Sequence, residues 1–88
     1  MTTKHYAVEF LPTAISELQN LPAKVRVQVA KRIDSLASNP RPDGCKKLRD
    51  RDGVYRIRSG NYRVLYRIED KRLVVLVVHI AHRGDVYR

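Results

Sequence analysis

The 88-residue sequence holds a single cysteine, Cys45. That excludes an internal disulfide framework and a zinc site built on cysteine. The three histidines, His5, His79 and His82, lack compact metal-ligand spacing. No glycine loop of the GxxxxGK[ST] kind is present to cradle a phosphate. No pair of carboxylates stands where two-carboxylate hydrolysis would need it. No long apolar run occurs: the longest, Leu73 to Ile80, is too short to span a bilayer. The N-terminus, MTTKHY, has no apolar h-region of a secretory signal. These absences leave one small cytoplasmic domain over residues 1–88, with no metal and no cofactor expected and no membrane partner. A chain of this size buries only roughly 60% of its unfolded surface, so any chemistry belongs on an open face.

Acidic residues are also scarce, nine against eighteen lysines and arginines, which gives a net charge of +9. Such a balance points to a polyanionic partner. The charge is uneven. Residues 1–40 carry five basic and three acidic side chains, net +2; the other thirteen and six, net +7, fall in residues 41–88.

The alternation in His5 to Phe10 predicts a strand with Tyr6, Val8 and Phe10 on one face. Pro12 then opens a helix in which Leu11, Ile15 and Leu18 form a narrow apolar stripe. Pro22 starts a second helix, to about Ser38, with Val25, Val29, Ile33 and Leu36 on its buried face. The segment NPRPDG, Asn39 to Gly44, stops it. From Val54 the period becomes two. Strands are expected at Val54 to Ser59, Tyr62 to Glu69 and Arg72 to Ala81, joined at Gly60-Asn61 and Asp70-Lys71. The order β-α-α-β-β-β predicts an α+β fold, an antiparallel sheet with a helical hairpin packed on one face.

If Gly60-Asn61 is the turn, the hairpin register follows. Arg58 faces Arg63, Ile57 faces Val64, Arg56 faces Leu65 and Tyr55 faces Tyr66. Tyr55, Ile57, Tyr62, Val64, Tyr66 and Ile68 then share the face for the helices, and Arg56, Arg58, Arg63 and Arg67 project from the other. Like charges directly opposed in a sheet are destabilising. An arginine face is a poor choice for stability and a good one for binding phosphate, whose oxygens match the planar guanidinium fork. An ordinary solvated outer face is the alternative. The last strand, beside Tyr62–Glu69, is expected to bring the tail groups His82, Arg83 and Tyr87 near Arg63. His82 has the chemistry of an acid or base near neutrality, and Tyr87 that of a stacking or proton-carrying group.

The segment KKLRDRDGVYRIRSGNYRVLYRIEDKRLVVLVVHIAHRGDVY, Lys46 to Tyr87, resembles the RelE/ParE superfamily of bacterial toxins. The pattern K-L, Y-R-I-R, a turn, Y-R-V-x-Y, an apolar strand and a basic tail ending in V-Y stands here in order. Phe10-x-x-x-Ala14 fits as well. The resemblance implies a toxin paired with a cognate antitoxin. RelE-type members cut mRNA in the ribosomal A site without metal; ParE-type members share the fold and poison DNA gyrase. It nominates Arg56, Arg63, Arg83 and Tyr87 as catalytic, with His82 as a further proton carrier, and Arg58, Lys46 and Lys47 as substrate-binding. Arginine stands at 56 and 58 where well-known RelE members carry lysine. Being permanently protonated, it stabilises a phosphorane rather than acting as general base. A gyrase inhibitor that cuts nothing is the alternative, and a binding module without activity a third reading.

Overall fold

The computed structural model describes residues 5–82. The hairpin that the register argument rests on is there. Strand β3 (Val54–Ser59) pairs with β4 (Tyr62–Glu69) through Ser59↔Tyr62, Arg58↔Arg63, Ile57↔Val64, Arg56↔Leu65 and Tyr55↔Tyr66. Gly60 takes φ +58°, which suits a glycine in a two-residue turn. Strand β5 (Val74–His82) lies antiparallel along β4.

Three further features set the edges of the sheet. Strand β1 (Ala7–Phe10) runs parallel to β5, Ala7↔Val74 to Phe10↔Val77. The sheet is therefore mixed, not wholly antiparallel. Its order is β1-β5-β4-β3-β2, where β2 is a two-residue strand, Lys46–Lys47, paired with Arg56 and Tyr55. The β4–β5 connection is wider than Asp70-Lys71. It runs through Leu73, whose φ is +54°, and β5 starts only at Val74. Leu73 is kept in this left-handed conformation while its carbonyl accepts the Ala7 N–H at 2.8 Å, joining β1 to the turn.

Helices α1 (Pro12–Gln19) and α2 (Ala23–Asp34) cover one sheet face. Val29, Ile33 and Leu36 are fully buried, with Leu36 carried inward by a short 3-10 turn, Ser35–Ala37, that replaces the last turn of the expected helix. They meet Ile57, Val64, Tyr66, Val75, Val77 and Ile80 from the sheet. The stripe on α1 differs from expectation. Leu11 and Ile15 are 38% and 43% exposed, and Ala14 is the buried residue, with Leu18 packed beside it. Leu11 is not helical: its backbone is extended and its N–H still bonds Val77 O, so the helix phase begins at Pro12.

A polar latch closes the end of the sheet near β1. Asp70 accepts from Tyr6 Oη at 2.7 Å and from both terminal nitrogens of Arg41 at 2.9 and 3.3 Å. Arg41 also lies over the Tyr55 ring, which stacks on Tyr66. The Tyr66 hydroxyl donates to Pro40 O at 2.7 Å. The loop after α2 is thereby fastened to β3, to β4 and to the turn that follows β4.

Candidate nucleic-acid interface

The sheet face away from the helices collects the basic residues. Directly paired residues share a face. Lys46 therefore stands with Arg56, and Arg58 with Arg63, and the strand alternation puts all four on the side opposite Ile57 and Val64. Leu65 lies among them, facing Arg56 across the ladder and fully buried. A completely buried leucine on the open side needs cover, and the apolar stems of neighbouring arginines suit that task. The Nε atoms of Arg56 and Arg63 are shielded from solvent and have no hydrogen-bond partner among the described residues. Buried donors are normally paired, so two orphans on adjacent arginines point to an acceptor that the chain itself does not supply.

Arg67, on the same face, has a different role. Its Nη1 donates to Asp52 O at 2.9 Å and pins the loop before β3. A Cβ on Gly53, φ +74°, would stand 3.4 Å from that nitrogen. Arg67 is thus bound to the protein's own backbone.

A residue that the sequence pattern did not single out joins the site from the helix layer. Strand β2 pairs with β3 only at Arg56 and Tyr55, leaving the β3 edge uncovered further along. Arg32 of α2 reaches that edge and donates from Nε to Arg58 O at 3.2 Å. Arg32, Lys46, Arg56 and Arg58 surround a cavity of about 280 Å³ beside Gly44. Periodicity marks Arg32 only as lying off the buried stripe. The signal that would have found it is the shortness of β2.

Two expected site residues are not brought to this face. Lys47 pairs with Tyr55 and so takes the other side of β2 from Lys46. His82 pairs with Tyr62, meeting its ring edge-on at 5.1 Å, on the side opposite Arg63. The residue opposite Arg63 is Ala81. The cause is parity: alternation assigns neighbouring residues 81 and 82 to opposite faces. Arg83 and Tyr87 lie outside the described residues.

His82 instead lines a second cavity, of about 400 Å³, between α1 and the end of β5. Strand β1 stops at Phe10↔Val77, and Glu17 takes over the β5 edge beyond it. One carboxylate oxygen accepts the Ile80 N–H at 2.8 Å, and the other lies 2.7 Å from His79 Nδ1. This arrangement supplies a missing strand partner, and it engages both oxygens of the only carboxylate lining that cavity among the described residues.

Charge and geometry together make the outer face strongly cationic, with no acidic side chain in the β3–β4 ladder. Comparison with known proteins shows the family. The family described as "ParE toxin of type II toxin-antitoxin system, parDE" matches residues 8–87. Toxin RelG of Mycobacterium tuberculosis is 34% identical over 94% of this chain and 97% of its own length. The mRNA interferase toxin RelE of Escherichia coli is 33% identical over 93% of this chain and 90% of its own. Among solved structures, a chain of the toxin–antitoxin complex RelBE2 from M. tuberculosis superposes with a TM-score of 0.81 at 33% identity, covering 96% of this chain and 98% of that one.

Proposed function

Since the chain belongs to the RelE/ParE superfamily of type II toxin–antitoxin toxins, we propose that it is an endoribonuclease that cleaves mRNA on the ribosome and stops translation. The observation that carries this reading is the pair of shielded, unpartnered Nε atoms on Arg56 and Arg63, flanking Leu65 on one open face.

The basic face supplies the electrostatic part of the reaction. The ribose 2′-OH attacks the adjacent phosphorus in line. The bond from phosphorus to the 5′ oxygen breaks, leaving a 2′,3′-cyclic phosphate and a 5′-OH. Negative charge builds on the non-bridging oxygens of the phosphorane. Arg56 and Arg63 sit where fixed cations would meet it, and fixed charge aimed at a developing oxyanion is an effective form of catalysis. Arg58 orients the strand. Arginine remains protonated, so the attacking hydroxyl loses its proton to another acceptor, and the departing 5′ oxygen takes up one proton from that group or from water. With His82 turned to the helix side, Tyr87 is the remaining candidate for that transfer or for stacking on a base, and Arg83 for a third phosphate contact.

A relative of known assembly, the M. tuberculosis chain, is a toxin bound to its antitoxin. A cognate antitoxin is accordingly the protein partner of this chain, and the cytoplasm, where mRNA is translated, its place of action. None of the described helices is long and apolar enough to cross a membrane.

Mapping of transcript ends in a translating extract with purified chain tests the reading. New 5′-OH ends inside coding regions, dependent on translation, are expected. The second reading, gyrase inhibition, is favoured by the description of the matching family and by arginine at 56 and 58. It predicts gyrase-dependent DNA breaks with transcripts intact.

A further inference from the structure

The cavity at the β2–β3 edge is lined by four cations and Gly44, with no carboxylate among its lining residues. Arg32 crosses from the helix layer to reach it, fixed at Nε by Arg58 O. Its two terminal nitrogens have no protein partner among the described residues. Lys46 and Arg56 face each other directly across the same edge. Four positive groups converging without a counter-charge repel one another, and a structure keeps such an arrangement where an anion relieves it.

The cavity is not centred on the residues assigned to the scissile phosphate. Arg63 lies on β4, beyond Arg58, whereas Lys46 and Arg32 lie on the β2 side. Two strand spacings, roughly 10 Å, separate β2 from β4. Long side chains reaching inward from both strands bring their charged ends within the shorter spacing of consecutive phosphates. Arg56 and Arg58 border both places, so an RNA strand crossing the sheet meets continuous positive charge.

We propose that this cup seats the phosphodiester next to the one being cleaved, with Arg32 and Lys46 as its outer ligands. The RNA is then held at consecutive phosphates, and the attacked one is placed by its neighbour. This rests on the endoribonuclease reading and adds Arg32, a helix residue, to the substrate contacts. A tetrahedral oxyanion fits better than a carboxylate. The two non-bridging oxygens of a phosphodiester project from a tetrahedral phosphorus and can be met by cations approaching from different elements, whereas those of a carboxylate lie in one plane.

The test uses the full chain and a mixed-sequence 2′-O-methyl RNA oligonucleotide, which binds and cannot be cut. Its affinity is measured across salt concentrations for wild type, Arg32→Gln and Lys46→Gln. Lys46 is exposed, so its variant folds even if the loss of the Arg32 tie loosens β3. Each substitution should weaken binding about tenfold and lower the slope of log affinity against log salt by about 0.7. In parallel, inorganic phosphate is titrated while the arginine Nε–Hε resonances are followed. Shifts at Arg32 and Arg56 in wild type, absent at Arg56 in Arg32→Gln, are expected. Unchanged affinity and slope in both variants would overturn the proposal, whether or not wild type cleaves transcripts. So would variants that bind RNA normally but lose affinity for an acidic peptide, which would assign the cup to a protein partner. Absence of cleavage by wild type, by contrast, bears on the enzymatic reading, while the oligonucleotide slopes still decide the cup.

Discussion

Arg58 and Arg63 stand directly opposite each other in the β3–β4 ladder, and no acidic side chain occupies a position in that ladder beside them. At a cross-strand separation of about 4.5–5.5 Å between Cβ atoms, the pair costs stability. Arg63→Ala should therefore leave the melting temperature unchanged or raise it, by up to about 1 kcal/mol in stability. The same change should abolish toxicity, because losing a charge-assisted contact costs about 1.5–3 kcal/mol and more if it strengthens in the transition state. Circular dichroism melts and a growth assay measure the two effects separately. An inactive variant that is also unfolded would count against the assignment.

Arg67 provides the contrast on the same face. Its bond to Asp52 O orders a loop and no phosphate contact is assigned to it. Arg67→Ala should cost about 0.5–1.5 kcal/mol of stability. RNA cleavage per folded molecule should stay within a few fold of wild type. Loss of cleavage as deep as that of Arg63→Ala would extend the site along β4.

Glu17 closes the free edge of β5 with its two oxygens. Glu17→Ala removes the acceptor of the Ile80 N–H and the partner of His79, and should cost about 1–3 kcal/mol. Glu17→Gln keeps an oxygen for Ile80 and should lose less. Chemical denaturation of both variants gives the order. Equal losses would mean that the His79 contact carries the whole effect.

Tyr66 makes stability sensitive to alkali. Burial, together with the Cys45 thiol beside it, pushes its phenol above the ordinary 10.0. Tyr6 is raised too, chiefly by its hydrogen bond to Asp70. The unfolded chain therefore releases these protons at lower pH than the folded one. Their contribution is fully present below pH 10.0 and falls as pH rises past it. Tyr66 contributes a slope of about 1.4 kcal/mol per pH unit between its unfolded and folded values. Tyr66→Phe should be less stable at neutral pH, having lost the bond to Pro40 O, yet show a shallower alkaline decline. Melting temperatures between pH 8 and about 11 would show whether the two curves converge.

Much of this architecture is legible in the residue pattern because one local feature determines it. Gly60-Asn61 permits a two-residue turn, and with that turn placed, every cross-strand neighbour from Tyr55 to Tyr66 follows by counting. The arginine face is a consequence of that count. Beyond the hairpin, counting fails for physical reasons. The run from Leu73 to Val78 is apolar on both faces, so alternation says nothing about its register. The ladder slips between Leu65 and Tyr66, where Tyr66 pairs with Val77 but Leu65 with His79. That bulge sets which face each later residue takes, and it turns His82 away from Arg63. The parallel pairing of β1 and the two-residue β2 depend on contacts distant in sequence, which periodicity does not encode. Arg32 escapes notice for the same reason: its role comes from an edge that β2 is too short to cover.

Strand β1 is made first and placed last. Its partner residues in β5 lie 67 positions later, from Ala7 to Val74. The β3–β4 hairpin closes over two residues and can form as soon as it emerges. The N-terminal strand and helix α1, in contrast, lack their partner until β5 has been synthesised, and long-range parallel pairing is slow to form. A growing chain thus displays its cationic hairpin before it owns a core to hold it.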